Sequence, residues 1–516
     1  MSNSSCTTII VTPSASADGR MRVAHSCDDA LADHRFVYVP AQDWPEGARR
    51  PVYPCGICEK ELPQWNARII PRLYVPGRPD AYRDPLGQAY PTLPVGSIPQ
   101  VRHTFAYLDS NYGVMNEAGL VFGECTCRAH HLCPPEEGKR IFYSSELMRV
   151  ALERCTGALE AVELMGSLIE EYGVYGTGET LLVADARDAW VMEMAPSPQG
   201  TGGLWAARRV PDGEIFVEAN LFRLRKMDPT SPDQRLCSTL RTMAQEGKEV
   251  DWTALTSEGE YHHPYYSMRR VWRVMDLLAP SLQAPAKLTG YLDDAYPFSF
   301  APDRPVNLQD LFRIYRDHLE GTPFDLTKGV AAGPWGNPNR PRPTKEEATQ
   351  GAWERPISMV DTGYAYILEP QGICWLAMGR PAEVPFVPLA VAPPPAPFSQ
   401  GSPREFDPEG CAWWRYNLVS QFSELRYCDM RQDIAQAQQR AEERAMLALA
   451  DQEKPDAQTL NRLAETTLQE WKELFAQMAV TYNQGYYNTP EKFSQKRPSN
   501  PQYLQGTEFP QGPLQY

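Results

Sequence analysis

Period-two alternation opens the chain. Thr7–Val11 is a β-branched run, Ser14–Gly19 carries turn residues, and Met21–His25 resumes the run, which predicts a hairpin almost at the N-terminus. From Pro40 to Pro99 proline punctuates the sequence and periodicity fades, the pattern of a loop-rich region. Val101–Asp109, Gly113–Asn116 and Leu120–Cys125 then read as successive strands joined by Asn-Tyr-Gly and Glu-Ala-Gly turns. Between Ser144 and Tyr172 the period becomes helical, with Ala161, Leu164, Met165 and Leu168 on one face and Gly173 as the stop.

A meander follows in Glu179–Asp185, Trp190–Met194, Leu204–Arg208 and Glu214–Ala219. Asn307 with Asp310 three residues on opens a helix through Leu319 as a capping-box variant. Tyr364–Leu368 and Ile373–Met378 return to strand, and Pro381–Pro397 reads as a linker. Trp413–Ala450 and Asp456–Tyr482 are helical runs, with Trp413, Trp414, Leu418, Phe422 and Leu425 as a packing stripe. The Gln/Pro/Tyr/Asn-rich end beyond Asn483 reads as an extended or disordered tail. Strands, helices and strands again suggest layered α+β architecture rather than a doubly wound parallel sheet.

Composition narrows the classes. The 516 residues are 42% hydrophobic and 22% charged, ordinary for a globular chain with a large core. A formal charge of −15 with no Lys/Arg stripe argues against nucleic acid as a partner. No run of about 18 apolar residues predicts a membrane span, and MSNSSCTTIIV does not read as a secretory signal. A reducing, cytoplasmic setting is therefore the expectation. The twelve cysteines then read mostly as buried thiols rather than a disulfide framework.

One of those cysteines stands out. If the Ser5–Cys6 bond is cut, Cys6 carries a thiol and a free α-amine on one residue. The amine titrates at about 7.7–8.0 and a free thiol at about 8.5, so the pair can exchange a proton near neutral pH without a histidine. Anchoring on a strand would hold the sulfur in place. From composition alone, an incidental buried cysteine is the better reading of any single Cys.

Ordered blocks change that balance. Cys6-Thr7-Thr8-Ile9-Ile10-Val11, Asp18-Gly19 and Val23-Ala24-His25-Ser26-Cys27-Asp28-Asp29 are followed by Tyr107-Leu108-Asp109, Asn111–Glu117 and Gly123-Glu124-Cys125-Thr126. Further on come Gly176–Glu179, Val217-Glu218-Ala219-Asn220, Tyr261 to Trp272, Glu320–Leu326, Ala332-Gly333-Pro334 and Ala412-Trp413-Trp414. Together, from residue 6 to about 480, they resemble the dipeptidase-A-type family of N-terminal-nucleophile peptidases, which includes the secernins. The resemblance implies an α+β fold, the N-terminal-nucleophile hydrolase four-layer αββα sandwich, here with a C-terminal helical extension. It implies residues 1–5 as a leader that is removed; with the composition and periodicity above, the chain divides into 6–380 as the peptidase domain, 381–404 as a Pro-rich linker, 405–482 as the helical extension and 483–516 as the tail. Small peptides are the implied substrates, with no cofactor and no metal; a homo-oligomer is compatible.

Site residues carry over position by position. Asn220, ending an apolar strand, matches an oxyanion-hole Asn; a turn Asn is the plainer alternative. A backbone N–H near Cys125 or Thr126 is a candidate second donor. Asp28 matches an acidic residue placed to orient Cys6, against a solvated turn Asp. Glu124 and Asn116 are candidates for substrate binding, and Arg340 is similar to an arginine of the wider amidase superfamily. The chain departs from the family where His25-Ser26 replaces the common Arg-Asn or Arg-Thr. Histidine would stabilise a thiolate only when protonated, and alternation puts Arg22 on the opposite strand face. Cys55-Gly56-Ile57-Cys58 spells CxxC, but Cys125, Cys127, His130, His131 and Cys133 complete no standard zinc spacing. His262 and His263 read as polar-aromatic loop packing or cleft lining. Two other functions stay open here, a non-peptide acyl amidase on the same fold and a catalytically silent interaction protein.

Overall fold

A computed structural model describes residues 5–29, 34–54, 94–197, 200, 202–260, 265–342, 344, 346, 353–401, 406–450, 452, 455–488, 493–494 and 500–506. The CxxC pair, His262, His263 and most of the leader lie outside them. Two antiparallel sheets carry the fold. The seven-stranded sheet runs Ser299–Phe300, Ile215–Glu218, Ser5–Val11, Arg22–Asp28, Tyr364–Glu369, Ile373–Ala377, Val387–Ala390. The eight-stranded sheet runs Gln234–Leu236, Gly203–Arg209, Ala189–Pro196, Gly178–Ala184, Val121–Cys127, Gly113–Asn116, Tyr107–Asp109, Val37–Val39.

Ser5–Val11 and Arg22–Asp28 form the expected hairpin, pairing Cys6 with Cys27 and Thr8 with His25. Both strands are buried along their whole length. They lie against Val121–Cys127 of the second sheet, so the opening strand is enclosed on both edges and on its face. That explains why its sequence is a β-branched run: a strand covered on all sides gains most from residues that fill a pleated surface.

Helices Ser144–Arg154 and Ala158–Tyr172 cover the eight-stranded sheet. Gly166 is required there, since a Cβ at that position would lie 2.3 Å from the Trp205 ring. The single helical run expected over Ser144–Tyr172 is two helices, broken where Gly157 caps the second in extended conformation. Helix Leu308–Tyr315 carries the full Asn307/Asp310 capping box but stops at Tyr315, short of Leu319. Its Phe312 stacks on Phe386 at 4.4 Å, which ties it to the seven-stranded sheet's side of the molecule.

The stretch read as a linker contributes structure. Val387–Ala390 is the edge strand of the seven-stranded sheet, and an edge is where a strand tolerates Pro388. Helices Ala412–Ser423, Tyr427–Leu449 and Ala457–Thr481 are joined to the same contiguous core through Tyr416, Met430 and Trp471. The expected run Trp413–Ala450 breaks at Arg426, whose backbone leaves the helical region while its buried side chain reaches Asp429 and the Gly485 carbonyl. Leu425, expected in the packing stripe, is exposed. Within the expected tail, Asn500 is buried and donates to the Gly329 and Gly333 carbonyls at 2.7 and 2.9 Å. Among the described residues no helix is long and apolar enough to cross a membrane.

Candidate active site

The register of the opening hairpin decides what Cys6 faces. Opposed residues in an antiparallel pair share a face, so Cys6, Thr8, His25 and Cys27 point one way and Ser5, Thr7, Ser26 and Asp28 the other. On the first face stands strand Val121–Cys127. There the Cys6 thiol donates to Glu124 Oε2 at 3.4 Å, and the Cys125 thiol donates to the Cys6 carbonyl at 3.2 Å. Burial pushes the Cys6 thiol well up, reinforced by the hydrogen bond with Cys125 and the charge of Glu124. It is therefore held as a neutral thiol.

Asn220 reaches Cys6 from the neighbouring strand. Ile215–Glu218 pairs with Ser5–Val11, and immediately past its end Asn220 adopts φ 64°, the left-handed region that Asn tolerates better than most side chains. The turn is held by the Leu221 N–H donating to Glu218 Oε1 at 2.6 Å. The Asn220 Oδ1 then accepts the Cys6 N–H at 3.2 Å, while its Nδ2 donates to the Thr126 carbonyl at 2.7 Å. At Thr126 it is thus the carbonyl, not an N–H, that faces Asn220.

Arg270, on helix Met268–Leu278, completes the clamp. It donates to the Cys6 carbonyl at 2.6 Å, Thr7 Oγ1 at 3.0 Å, the Ala219 carbonyl at 3.0 Å, Asn220 Oδ1 at 2.8 Å and the Tyr266 carbonyl at 3.1 Å. All five guanidinium N–H groups are engaged. Burial lowers its proton affinity to about 10, still far above neutrality. Sequence reasoning missed Arg270 as a site residue. It stood inside the Tyr261–Trp272 block, but beside Arg269 nothing in the pattern singles it out.

The other candidates separate. Glu124 is buried against the thiol, accepts Thr126 Oγ1 at 3.1 Å, and is pushed up by burial. His25 lies with its Nδ1 2.8 Å from the Glu124 carbonyl oxygen, and burial lowers it to about 4. It is neutral at physiological pH and supplies no cation to the sulfur. Arg22 turns away to Glu369 and Asp18. Asp28, on the opposite face, is ion-paired with Arg355 and accepts Thr362 Oγ1 at 2.6 Å and Ser26 Oγ at 3.3 Å. It acts on Cys6 through its charge rather than through a hydrogen bond.

Two substrate-binding candidates make their hydrogen bonds elsewhere. Asn116 donates to the Leu152 and Cys155 carbonyls, each at 2.9 Å, and accepts from the Ala118 and Leu120 N–H groups at 3.1 and 2.9 Å. Its hydrogen-bonding capacity is exhausted in fixing a turn to a helix end. Arg340 donates to the Leu326 and Lys328 carbonyls at 2.7 and 3.2 Å and has no hydrogen bond to the Cys6 cluster.

Cys6 Sγ, a ring nitrogen of His25 and a carboxylate oxygen of Glu124 lie within 4.8 Å of one another. These are donor types a zinc-like ion accepts. Binding one would occupy the thiol. Among the described residues this is the group with metal-ligand spacing, and Cys125 and Cys127 instead wall the buried strand.

A buried thiol on an internal strand, with its amide held by a side-chain amide and its carbonyl by a guanidinium, has the parts of a thiol hydrolase. Residues 103–440 match Peptidase family C69, and the chain belongs to that family. It is 23% identical over 430 residues to the probable dipeptidase B of Lactococcus lactis subsp. lactis (strain IL1403), covering 79% of each chain. It is 26% identical over 257 residues to a probable dipeptidase of Salmonella dublin, 46% of this chain and 52% of that one. With dipeptidase A of Lactobacillus helveticus it shares 21% identity over 407 residues, 73% of each. The penicillin V acylase of Agrobacterium tumefaciens aligns over 75% of this chain and 86% of its own with 9% identity and a TM-score of 0.28.

Proposed function

We propose that the protein is a cysteine-type dipeptidase in which Cys6, made N-terminal by cleavage of the Ser5–Cys6 bond, attacks the amide bond of dipeptides or short peptides. The observation that carries this is the hold on Cys6 from both ends of its backbone, by Asn220 at the amide nitrogen and Arg270 at the carbonyl. Membership of a peptidase family and the relatives' names support the substrate class. The fold reading is the N-terminal-nucleophile αββα sandwich, supported by two facing sheets with helices against the outside of each.

In the matured site the thiol proton passes to the α-amine, and sulfur adds to the scissile carbonyl carbon. The second Nδ2–H of Asn220, not used by Thr126, is the donor for the oxyanion. The ammonium then returns its proton to the leaving amine as the C–N bond breaks. Water adds to the thioester and releases the acid, restoring thiol and amine. Glu124, which lies beside the thiol, receives the free ammonium of a short peptide in this reading.

Intact mass and dipeptide turnover test this together. The active protein should lack Met1–Ser5, and Cys6→Ala should keep them and lose turnover. Full activity in a chain that still begins at Met1 or Ser2 overturns the proposal.

A further inference from the structure

Ser5 shows what the site accepts on the acyl side of the scissile bond. With Ser5 and Cys6 joined, the Ser5 hydroxyl lies 2.8 Å from Arg355 Nη2 and 2.9 Å from Arg342 Nη2, and it also hydrogen-bonds Tyr266. Ser5 is fully buried. The recess it fills lies on the sheet face opposite the Cys6 side chain, one residue from the nucleophile.

Three guanidiniums crowd this recess. Those of Arg270 and Arg355 lie 5.0 and 5.5 Å from the Tyr266 ring centroid, and Arg342 Nη1 donates to the Tyr266 hydroxyl at 3.0 Å. Arg355 is paired with Asp28 and Arg342 with Asp361, whereas Arg270 donates to carbonyls, Thr7 Oγ1 and Asn220 Oδ1. Among the described residues the buried Nε–H of Arg355 has no acceptor. Departure of Ser5 removes a hydroxyl from Arg342, Arg355 and Tyr266 and leaves the Nη2 and Nε donors of Arg355 to be filled, beside the guanidiniums of Arg342 and Arg270. An apolar side chain there would leave those donors desolvated and unpaired. A short side chain ending in oxygen satisfies them, and a carboxylate does so through the stronger charge-assisted bonds that guanidiniums make.

We infer that the recess lined by Arg342, Arg355 and Tyr266 binds the side chain of the residue whose carbonyl Cys6 attacks, and that it selects a short oxygen-bearing side chain, aspartate ahead of serine. This rests on the proposed dipeptidase reading and on Ser5 occupying, before cleavage, the place a substrate residue takes afterwards. Two readouts test it on the full chain. With matured enzyme, kcat/KM for Asp-Ala and Ser-Ala should exceed that for Leu-Ala at least tenfold and that for Lys-Ala further. Arg342→Met should bring the Asp-Ala to Leu-Ala ratio toward one, while Arg342→Lys retains part of it; a melting curve for each variant accompanies the kinetics. Independently of dipeptide turnover, Ser5→Asp should release its leader, by intact mass, much faster than Ser5→Leu or Ser5→Lys. Leu-Ala or Lys-Ala as the best substrate, or an unchanged ratio in Arg342→Met, overturns the inference. If no dipeptide is cleaved the dipeptidase reading fails, and the inference then falls if Ser5→Leu processes as fast as Ser5→Asp.

Discussion

Asn220→Asp tests the side-chain amide most sharply, because the two side chains have the same shape. The oxygen that accepts the Cys6 N–H at 3.2 Å and Arg270 Nη2 at 2.8 Å survives as a carboxylate oxygen. The Nδ2 that donates to the Thr126 carbonyl at 2.7 Å becomes a second acceptor facing it. For folding, the new charge is matched by Arg270, so the cost is the lost Thr126 bond and an unpaired carbonyl, about 1–3 kcal/mol. For catalysis, the substitution removes the oxyanion donor, a loss of about 2.7–4 kcal/mol or about 10²–10³ in kcat. An anion where a second anion must develop places the effect at the upper end of that range. Steady-state kinetics on a cleaved dipeptide, with intact mass and a thermal melt on the same preparation, separate the two costs. A matured Asn220→Asp enzyme with kcat within threefold of the parent would refute Asn220 as the donor.

Other expectations follow from burial. Glu193 is fully buried and raised by burial to about 8, with Glu218 raised to about 7. Their unfolded values lie near 4.3, so the folded state holds extra protons between pH 4.3 and 8. That stability is complete below pH 4.3 and is lost as pH rises through 7 to 8. Glu193→Gln should flatten the fall in melting temperature from pH 6 to 9, and an equally steep fall in the variant would contradict the assignment. Because Cys6 is held as a neutral thiol, attack requires an unprotonated α-amine, so kcat/KM should climb with pH and level off above about 8; a flat profile from pH 6 to 9 would argue for a preformed thiolate. Gly166→Ala puts a methyl 2.3 Å from Trp205 and should cost about 1–3 kcal/mol in denaturant unfolding, with kcat unaffected in the folded fraction.

The β-branched run Thr7–Val11 and the turn residues after it made the central hairpin legible, because an enclosed strand gains most from residues that fill a pleated surface. Proline content misled at 381–404: the rule that proline interrupts strands relaxes at an edge, and edge position is a property of the sheet, not of the segment. In the site, Cys6, Glu124 and Asn220 were legible through ordered family blocks, and they meet because their strands adjoin. The turn-fixing bonds of Asn116 were not legible, since its partners, Leu152 and Cys155, become neighbours only when the helix docks. Arg270, Arg342 and Arg355 were invisible for a related reason. Each reaches the opening strand across more than two hundred and sixty positions of sequence, and no local spacing encodes such a contact.

The seclusion of Cys6 has a practical meaning at the bench. Ten cysteines are described as free thiols, and only Cys133 and Cys428 are not fully buried. Among these ten, a general alkylating reagent added to native protein will reach those two first, so its uptake reports nothing about competent centres. Counting those centres calls for an electrophile shaped like a peptide, one that must reach the buried Cys6 before it can react.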